Sequence, residues 1–154
     1  MTPAINALKQ HSVPFILHEY AHVSGETDFG AEAAKALGQA PTRIFKTLIL
    51  ELIPQAMVVA CLPVSSTLNL KALADTCGAK KAALAHPSKI PGLTGYILGG
   101  VSPMGQKRTL RTFIDASASN HNTIFVSGGR RGLEIEIAPD DLVRVCSGLY
   151  ANLD

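Results

Sequence analysis

Three sets of residues in this chain have types and spacings that could do chemistry. The first is a lysine, Lys46, inside the apolar run Ile44-Phe-Lys-Thr-Leu-Ile-Leu-Glu-Leu52. An ammonium among such neighbours must reach a cleft or water, since its desolvation costs on the order of several kcal/mol. The plain alternative is a stem lying on the core while the charge snorkels out at the sheet's end. The second set is two glycine loops with cations beside them. Gly95 to Gly105 holds four glycines in eleven residues and leads into Lys107 and Arg108, while Ser127-Gly-Gly-Arg-Arg-Gly132 carries Arg130 and Arg131. Clustered glycines let backbone N–H groups converge on an oxygen, and neighbouring cations suit phosphates. Two tight turns with solvated cations are the alternative. The third set is polar: Ser102, Ser127, Glu134 and Glu136.

Several chemistries are excluded by spacing. Neither glycine loop is followed by Gly-Lys-Ser/Thr, and neither is a dinucleotide fingerprint. Gly-x-Ser-x-Gly is absent, and no base is assigned to Ser102 or Ser127. In Leu133-Glu-Ile-Glu-Ile137 the apolar residues share one strand face, which predicts that Glu134 and Glu136 point outward together. A site built from what remains leans on backbone N–H groups, hydroxyls and Lys46. It holds an oxygen or carbonyl and stabilises developing negative charge, without an obvious protein nucleophile.

These residues need elements to position them. Ile44 to Leu52 reads as a central strand, with Ile44, Lys46, Leu48, Leu50 and Leu52 on one face and Phe45, Thr47, Ile49 and Glu51 on the other. Gln55 to Leu62 reads as its antiparallel partner across Pro54-Gln55. Thr2-Pro3 opens a helix running to about Gln10. Pro14 to Glu19 is a strand and Tyr20 to Asp28 a polar loop. Asp28 or Thr27 caps a helix over Gly30 to Leu37 that Gly38 closes. Further helices are expected over Leu70 to Thr76, one turn within His86 to Gly92, and Asp140 to Cys146 after Pro139. Further strands are expected over Lys80 to Leu84, Arg111 to Asp115, Asn122 to Ser127 and Leu133 to Ile137. Strands outnumber helices and do not alternate with them, so the expected class is α+β or a mixed sheet.

Composition narrows the rest. The 154 residues suit one domain, and 47% hydrophobic with 17% charged residues describes a globular chain. Glu51, Pro54 and Pro63 interrupt the longest apolar stretch, so no membrane span is expected. The N-terminal residues lack the charged-then-apolar pattern of a secretory leader, and a cytoplasmic location is the expectation. A net charge of +2 implies no general affinity for nucleic acid. Cys61, Cys77 and Cys146 are too few and too widely spaced for a disulfide framework or a zinc site. His18 and His22 have a helical ligand spacing but fall around a strand, so no metal is assigned.

Together, Phe45-Lys46-Thr47-Leu48, Thr94-Gly-Tyr-x-x-Gly-Gly-x-Ser-Pro-x-Gly-x-Lys107 and Ser127-Gly-Gly-x-Arg-Gly-Leu133 resemble the YbaK/EbsC family. Thr2-Pro3-Ala4, Phe15 to Tyr20 and Phe29-Gly30 match as well, so the likeness covers nearly the whole chain. The family is related to the editing domain inserted in bacterial prolyl-tRNA synthetases. The resemblance implies a single α+β domain over residues 1–154, with a mixed, strongly curved sheet flanked by helices, and no metal or cofactor. Its free-standing branch removes cysteine mischarged onto tRNA(Pro), and in some members acts on Cys-tRNA(Cys). There the substrate's own thiol attacks the ester and leaves as a thiolactone.

On this resemblance Lys46 is the catalytic residue, holding the terminal ribose or phosphate, or the aminoacyl carbonyl. Tyr20 and Phe29 form the wall of the aminoacyl pocket. Thr47, Gly99, Gly100, Ser102, Ser127 and Gly128 supply contacts to the substrate. Glu134 matches an acidic family position, although the strand pattern points it outward. Lys107, Arg108, Arg130 and Arg131 meet the tRNA backbone. The implied partners are tRNA(Pro) and prolyl-tRNA synthetase, with no membrane. An Ala-tRNA(Pro) deacylase and a non-catalytic module binding tRNA or a synthetase remain the alternatives. The apolar Glu51 to Met57 connection and the segment Ala82 to Leu93 depart from the family pattern, which leaves the pocket's amino acid open.

Overall fold

The computed structural model describes residues 1–154. Helices α1 (Pro3–Gln10), α2 (Phe29–Leu37), α3 (Leu70–Cys77), α4 (Ile90–Thr94) and α5 (Pro139–Cys146) accompany eight strands: β1 (Ile16–Glu19), β2 (Phe45–Ile53), β3 (Met57–Pro63), β4 (Lys81–Leu84), β5 (Arg111–Asp115), β6 (Ile124–Ser127), β7 (Leu133–Ile137) and β8 (Leu149–Ala151). The helix ends follow local chemistry. Asp28 accepts a hydrogen bond from the Ala31 N–H at the start of α2, and Asn69 does the same for Ala72 at the start of α3. Gly38 and Gly78 end these helices in the left-handed conformation. The predicted turn within His86 to Gly92 is a 3₁₀ turn, Pro87–Lys89, running straight into α4. Strand β8 and the 3₁₀ helix Ala116–Asn120 are the elements absent from the sequence expectations.

The strands form two sheets. One is five-stranded and mixed, in the order β4-β2-β3-β5-β8. In it β2 runs antiparallel to β3 and β4, while β3, β5 and β8 are mutually parallel neighbours. The other is three-stranded and antiparallel, in the order β1-β7-β6. They meet at one parallel bridge, Ile44 to Phe125, where the Phe125 N–H donates to the Arg43 carbonyl. The curled layer does not close.

Strand β2 divides two apolar cores, and its faces do so as the alternation predicts. Phe45 and Ile49 join Val59, Cys61, Ile114, Ile135 and Ile137 in the larger core beneath α1 and α5. Leu50 and Leu52 join Val58, Leu62, Phe113 and Leu73 of α3 in the other. A third, small cluster seats Ala33 and Ala34 of α2 on the Ile44–Phe125 bridge.

The ladder leaves one gap that matters. Leu52 donates to Ala56 and Ile44 accepts from Val64, so even-numbered β2 residues turn their backbone groups toward β3. Odd-numbered residues therefore face the other side. There β4 pairs only from Leu50 to Ile53, and the Ile49 carbonyl accepts from Ala85. At Thr47 β2 has no ladder partner on that side, although β6 runs close to the start of β2. The backbone edge of β2 is open on that side, next to Lys46.

Candidate active site

A cavity of about 290 Å³ lies over this open edge. Its floor is Phe45, Lys46, Thr47 and Leu48, and its sides are Tyr20, Phe29 and Gly30, the loop residues Leu98, Gly99 and Val101, and Ser127 with Glu134. That size is at the small end for ligand sites, enough for one aminoacyl-sized group.

Lys46 reaches toward the turn that leaves β3, where its Nζ donates to the Ser66 carbonyl at 2.6 Å. Burial draws its pKa below the usual lysine value, and Asp28 opposes that fall. Tyr20 follows β1, and its N–H donates to the Gly132 carbonyl at 2.9 Å. Its phenol is pushed up to about 12, first by burial and then by the carboxylates Glu134 and Glu32, so it stays protonated. The loop beyond it is tethered: His22 Nδ1 lies 2.6 Å from Glu32 Oε1, and the Val23 N–H donates to Glu32 Oε2.

The two glycine loops converge, but chiefly on each other. A Cβ at Gly100 would fall 2.8 Å from the Arg130 Cα, and one at Gly128 would fall 2.6 Å from Leu133. The Gly100, Gly128 and Gly129 N–H groups are spent on Ile97, Leu133 and Ser127. Gly100 and Gly128 are buried and line no part of the cavity. Ser102 is fully buried too, and its Oγ accepts from the Met104 N–H inside the first loop. Gly99 does reach the cavity, and its conformation has φ +85°. A Cβ there would sit 2.7 Å from the Phe29 ring. Gly99→Ala is therefore expected to destabilise the fold by roughly 2 kcal/mol, through the left-handed conformation and the displaced ring. Gly92→Ala, a helical position with open space around its Cβ, should leave the melting temperature unchanged or raise it by a few degrees. Thermal unfolding of the two variants checks this.

The predicted phosphate-binding cations divide into two groups. Arg131 is committed: its guanidinium lies 4.9 Å over the Phe29 ring, and its Nη2 and Nε donate to the Leu98 carbonyl. It clamps the second loop to the first at the cavity mouth. Lys107 and Arg108 are exposed, and Arg130 is 3.5 Å from an exposed Glu19 carboxylate, a weak pair.

Glu134 corrects the outward reading. Its face of β7 is covered by the residues around the cavity rather than by solvent, and Glu134 is 9% exposed and lines the cavity. Burial raises its carboxyl to about 8, and Oε2 has no hydrogen-bond partner. Its predicted companion Glu136 does not share this site. It instead bonds His18 and Thr123 and lies 3.6 Å from Arg43. Leu98, Thr27 and Val64 also line the cavity. Sequence offered a hint only for Leu98, an apolar residue inside a glycine loop.

No protein nucleophile is poised here. The Cys61 thiol, 3.8 Å from Thr47 Oγ1, is fully buried, and burial pushes its pKa far above neutrality. Ser127 Oγ accepts from the Gly129 N–H and makes no hydrogen bond to Glu134, its partner in the β6–β7 register. No group of three His, Cys, Asp or Glu side chains is arranged to hold a metal ion. No helix is long and apolar enough to cross a membrane.

Solved structures share this architecture. Hypothetical protein APE2540 superposes with a TM-score of 0.86 at 24% identity, covering 98% of each chain. "A putative trans-editing enzyme for prolyl tRNA synthetase" superposes with a TM-score of 0.84 at 21% identity, covering 99% of this chain and 94% of that one. Among sequences, "Putative Cys-tRNA(Pro)/Cys-tRNA(Cys) deacylase EbsC" of Enterococcus faecalis is 36% identical, over 99% of this chain and 92% of its own. The uncharacterised protein YwhH of Bacillus subtilis is 27% identical, over 72% of this chain and 70% of its own. Residues 26–145, which hold the lysine, both glycine loops and the buried glutamate, match the aminoacyl-tRNA editing domain. With most of its length matched and a relative more than a third identical from end to end, the chain belongs to the YbaK-type aminoacyl-tRNA editing family.

Proposed function

We propose that this protein is an aminoacyl-tRNA deacylase acting in trans, which removes cysteine mischarged onto tRNA(Pro). The carrying observation is a small cavity that holds one lysine, hydroxyls and an open strand edge but no nucleophile paired with a base. Such a site takes its nucleophile from the substrate or from water, and cysteine brings one of its own. The name of the Enterococcus relative supports the same substrate.

In this reading the cysteinyl sulfur attacks its own ester carbonyl carbon. A C–S bond forms, the ester C–O bond breaks, and the ribose oxygen leaves with the thiol's proton. The products are free tRNA and a cysteine thiolactone. Lys46 and the open edge at Thr47 face the oxygen that gains charge, and the apolar walls hold the ester against them. Lys107, Arg108 and Arg130 meet the tRNA backbone. With a net charge of only +2, prolyl-tRNA synthetase is the expected source of further tRNA affinity, in the cytoplasm.

The test compares release of amino acid from Cys-tRNA(Pro) and Ala-tRNA(Pro) by the wild-type protein. Cysteine should leave at least tenfold faster. Equal or faster release of alanine, which has no thiol, would assign the attack to water and overturn the thiol route. Release of neither would leave a binding module.

A further inference from the structure

We infer that Glu134 is the residue that recognises the free α-ammonium group of the aminoacyl ester, and so makes the site specific for an unblocked amino acid. This rests on the deacylase reading above. Glu134 is the one carboxylate in the cavity lining, and its Oε2 is buried without a partner. Buried polar atoms in folded proteins nearly always have one, so an orphan on a side chain that lines a cavity points to a group that the structure does not hold.

Its surroundings say which kind of group. Every nearby protein cation is engaged elsewhere. Lys46 bonds the Ser66 carbonyl, Arg43 serves Thr123 and Glu136, and Arg131 holds Leu98. Burial is the whole cause of the raised carboxyl pKa, with no compensating charge beside it. Tyr20, the titratable group facing it, stays a neutral phenol. In the register, Glu134 lies between His18 of β1 and Ser127 of β6. Ser127 Oγ already accepts from Gly129, and the His18 ring bonds Glu136. The empty site therefore has an acceptor that lacks a cationic donor.

An aminoacyl ester always supplies that donor. Its α-ammonium is attached to the carbon next to the reacting carbonyl, whatever the side chain. Seating it on Glu134 restores the carboxylate's charge and fixes the carbonyl relative to Lys46 and Thr47 on the opposite floor. Charge-assisted hydrogen bonds of this kind are the strong ones, and losing one is expected to weaken substrate use about 10- to 100-fold. An N-acylated aminoacyl-tRNA, or a peptidyl-tRNA, lacks the cation and is rejected.

The experiment uses Cys-tRNA(Pro) and N-acetyl-Cys-tRNA(Pro), both of which keep the thiol. The wild type should favour the free amine by about 10- to 100-fold in kcat/KM. Glu134→Gln should remove most of that preference through a higher KM for the free-amine substrate, with the acetylated one little changed. Glu134→Asp, which keeps a carboxylate on a shorter stem, should recover part of it. A melting curve for each variant confirms folding. Equal use of both substrates by the wild type would overturn ammonium recognition while leaving the deacylase in place. Equal losses on both substrates in Glu134→Gln would overturn it too, in favour of a general role. Release from neither substrate by the wild type would instead bring down the deacylase reading, and this inference with it.

Discussion

Lys46→Ala is expected to slow release of cysteine from Cys-tRNA(Pro) by about 100- to 1000-fold, the usual cost of removing one preorganised donor from developing negative charge. Lys46 is the one cation lining the cavity. It is held there by a single bond to a loop carbonyl, Ser66, in the turn that leaves β3. The substrate competes for that ammonium with a neutral acceptor rather than a carboxylate, so little is lost when it turns to the ester. The same partial exposure keeps the structural cost small. The Ser66 carbonyl can take water in the variant, and the melting temperature should move by no more than about 3 °C. Lys46→Arg keeps a charge but spreads it over a planar fork, and should recover only part of the rate. Single-turnover deacylation at saturating enzyme separates this from weakened tRNA binding. A rate within threefold of wild type would remove Lys46 from the chemistry.

Glu134→Gln is expected to stabilise the protein increasingly as pH rises. The folded carboxyl titrates at about 8, against an unfolded value near 4.5. Its folded pKa is raised, so the folded state holds the proton more tightly than the unfolded chain. The contribution to stability is full below about 4.5 and is lost as pH climbs toward 8. Between pH 5 and 8 the wild type should lose on the order of 3 kcal/mol from this group alone, while glutamine does not titrate. The difference in melting temperature between variant and wild type should widen by roughly 10 °C over that range. Taking the difference cancels the titration of groups common to both proteins. A pH-independent difference would mean that Glu134 is ionised in the fold, with a partner or water at Oε2.

Some of this was legible because it is local. The N-caps Thr2, Asp28 and Asn69 and the glycine stops Gly38 and Gly78 act within a few residues of where they stand, and the helices form there. The faces of β2 follow from period-two alternation in one strand, and they divide between two cores as read. Strand β8 was not legible, since Leu149–Ala151 is three residues long and exists by pairing with β5.

The sequence by itself determined the α+β class, the central strand, and a lysine that needed either a cleft or water. It also carried the motifs of the family. The tertiary structure alone decided where those parts face. Alternation says that Glu134 and Glu136 lie opposite the apolar residues of β7, but the sequence does not say what covers that face. Pairing with β1 and β6 sets the neighbours of β7, and the elements folded over that face bury Glu134 at the cavity while Glu136 is drawn to His18, Thr123 and Arg43. Likewise, glycine-rich spacing cannot distinguish a cradle of free N–H groups from two loops packed together. That depends on contacts such as Gly100 on Arg130 and Gly99 on Phe29, made between residues far apart in the chain. The open edge at Thr47 is of the same kind. It comes from β4 pairing no further than Leu50 and from the second sheet bridging only to Ile44, just before β2, and no residue in β2 encodes either event.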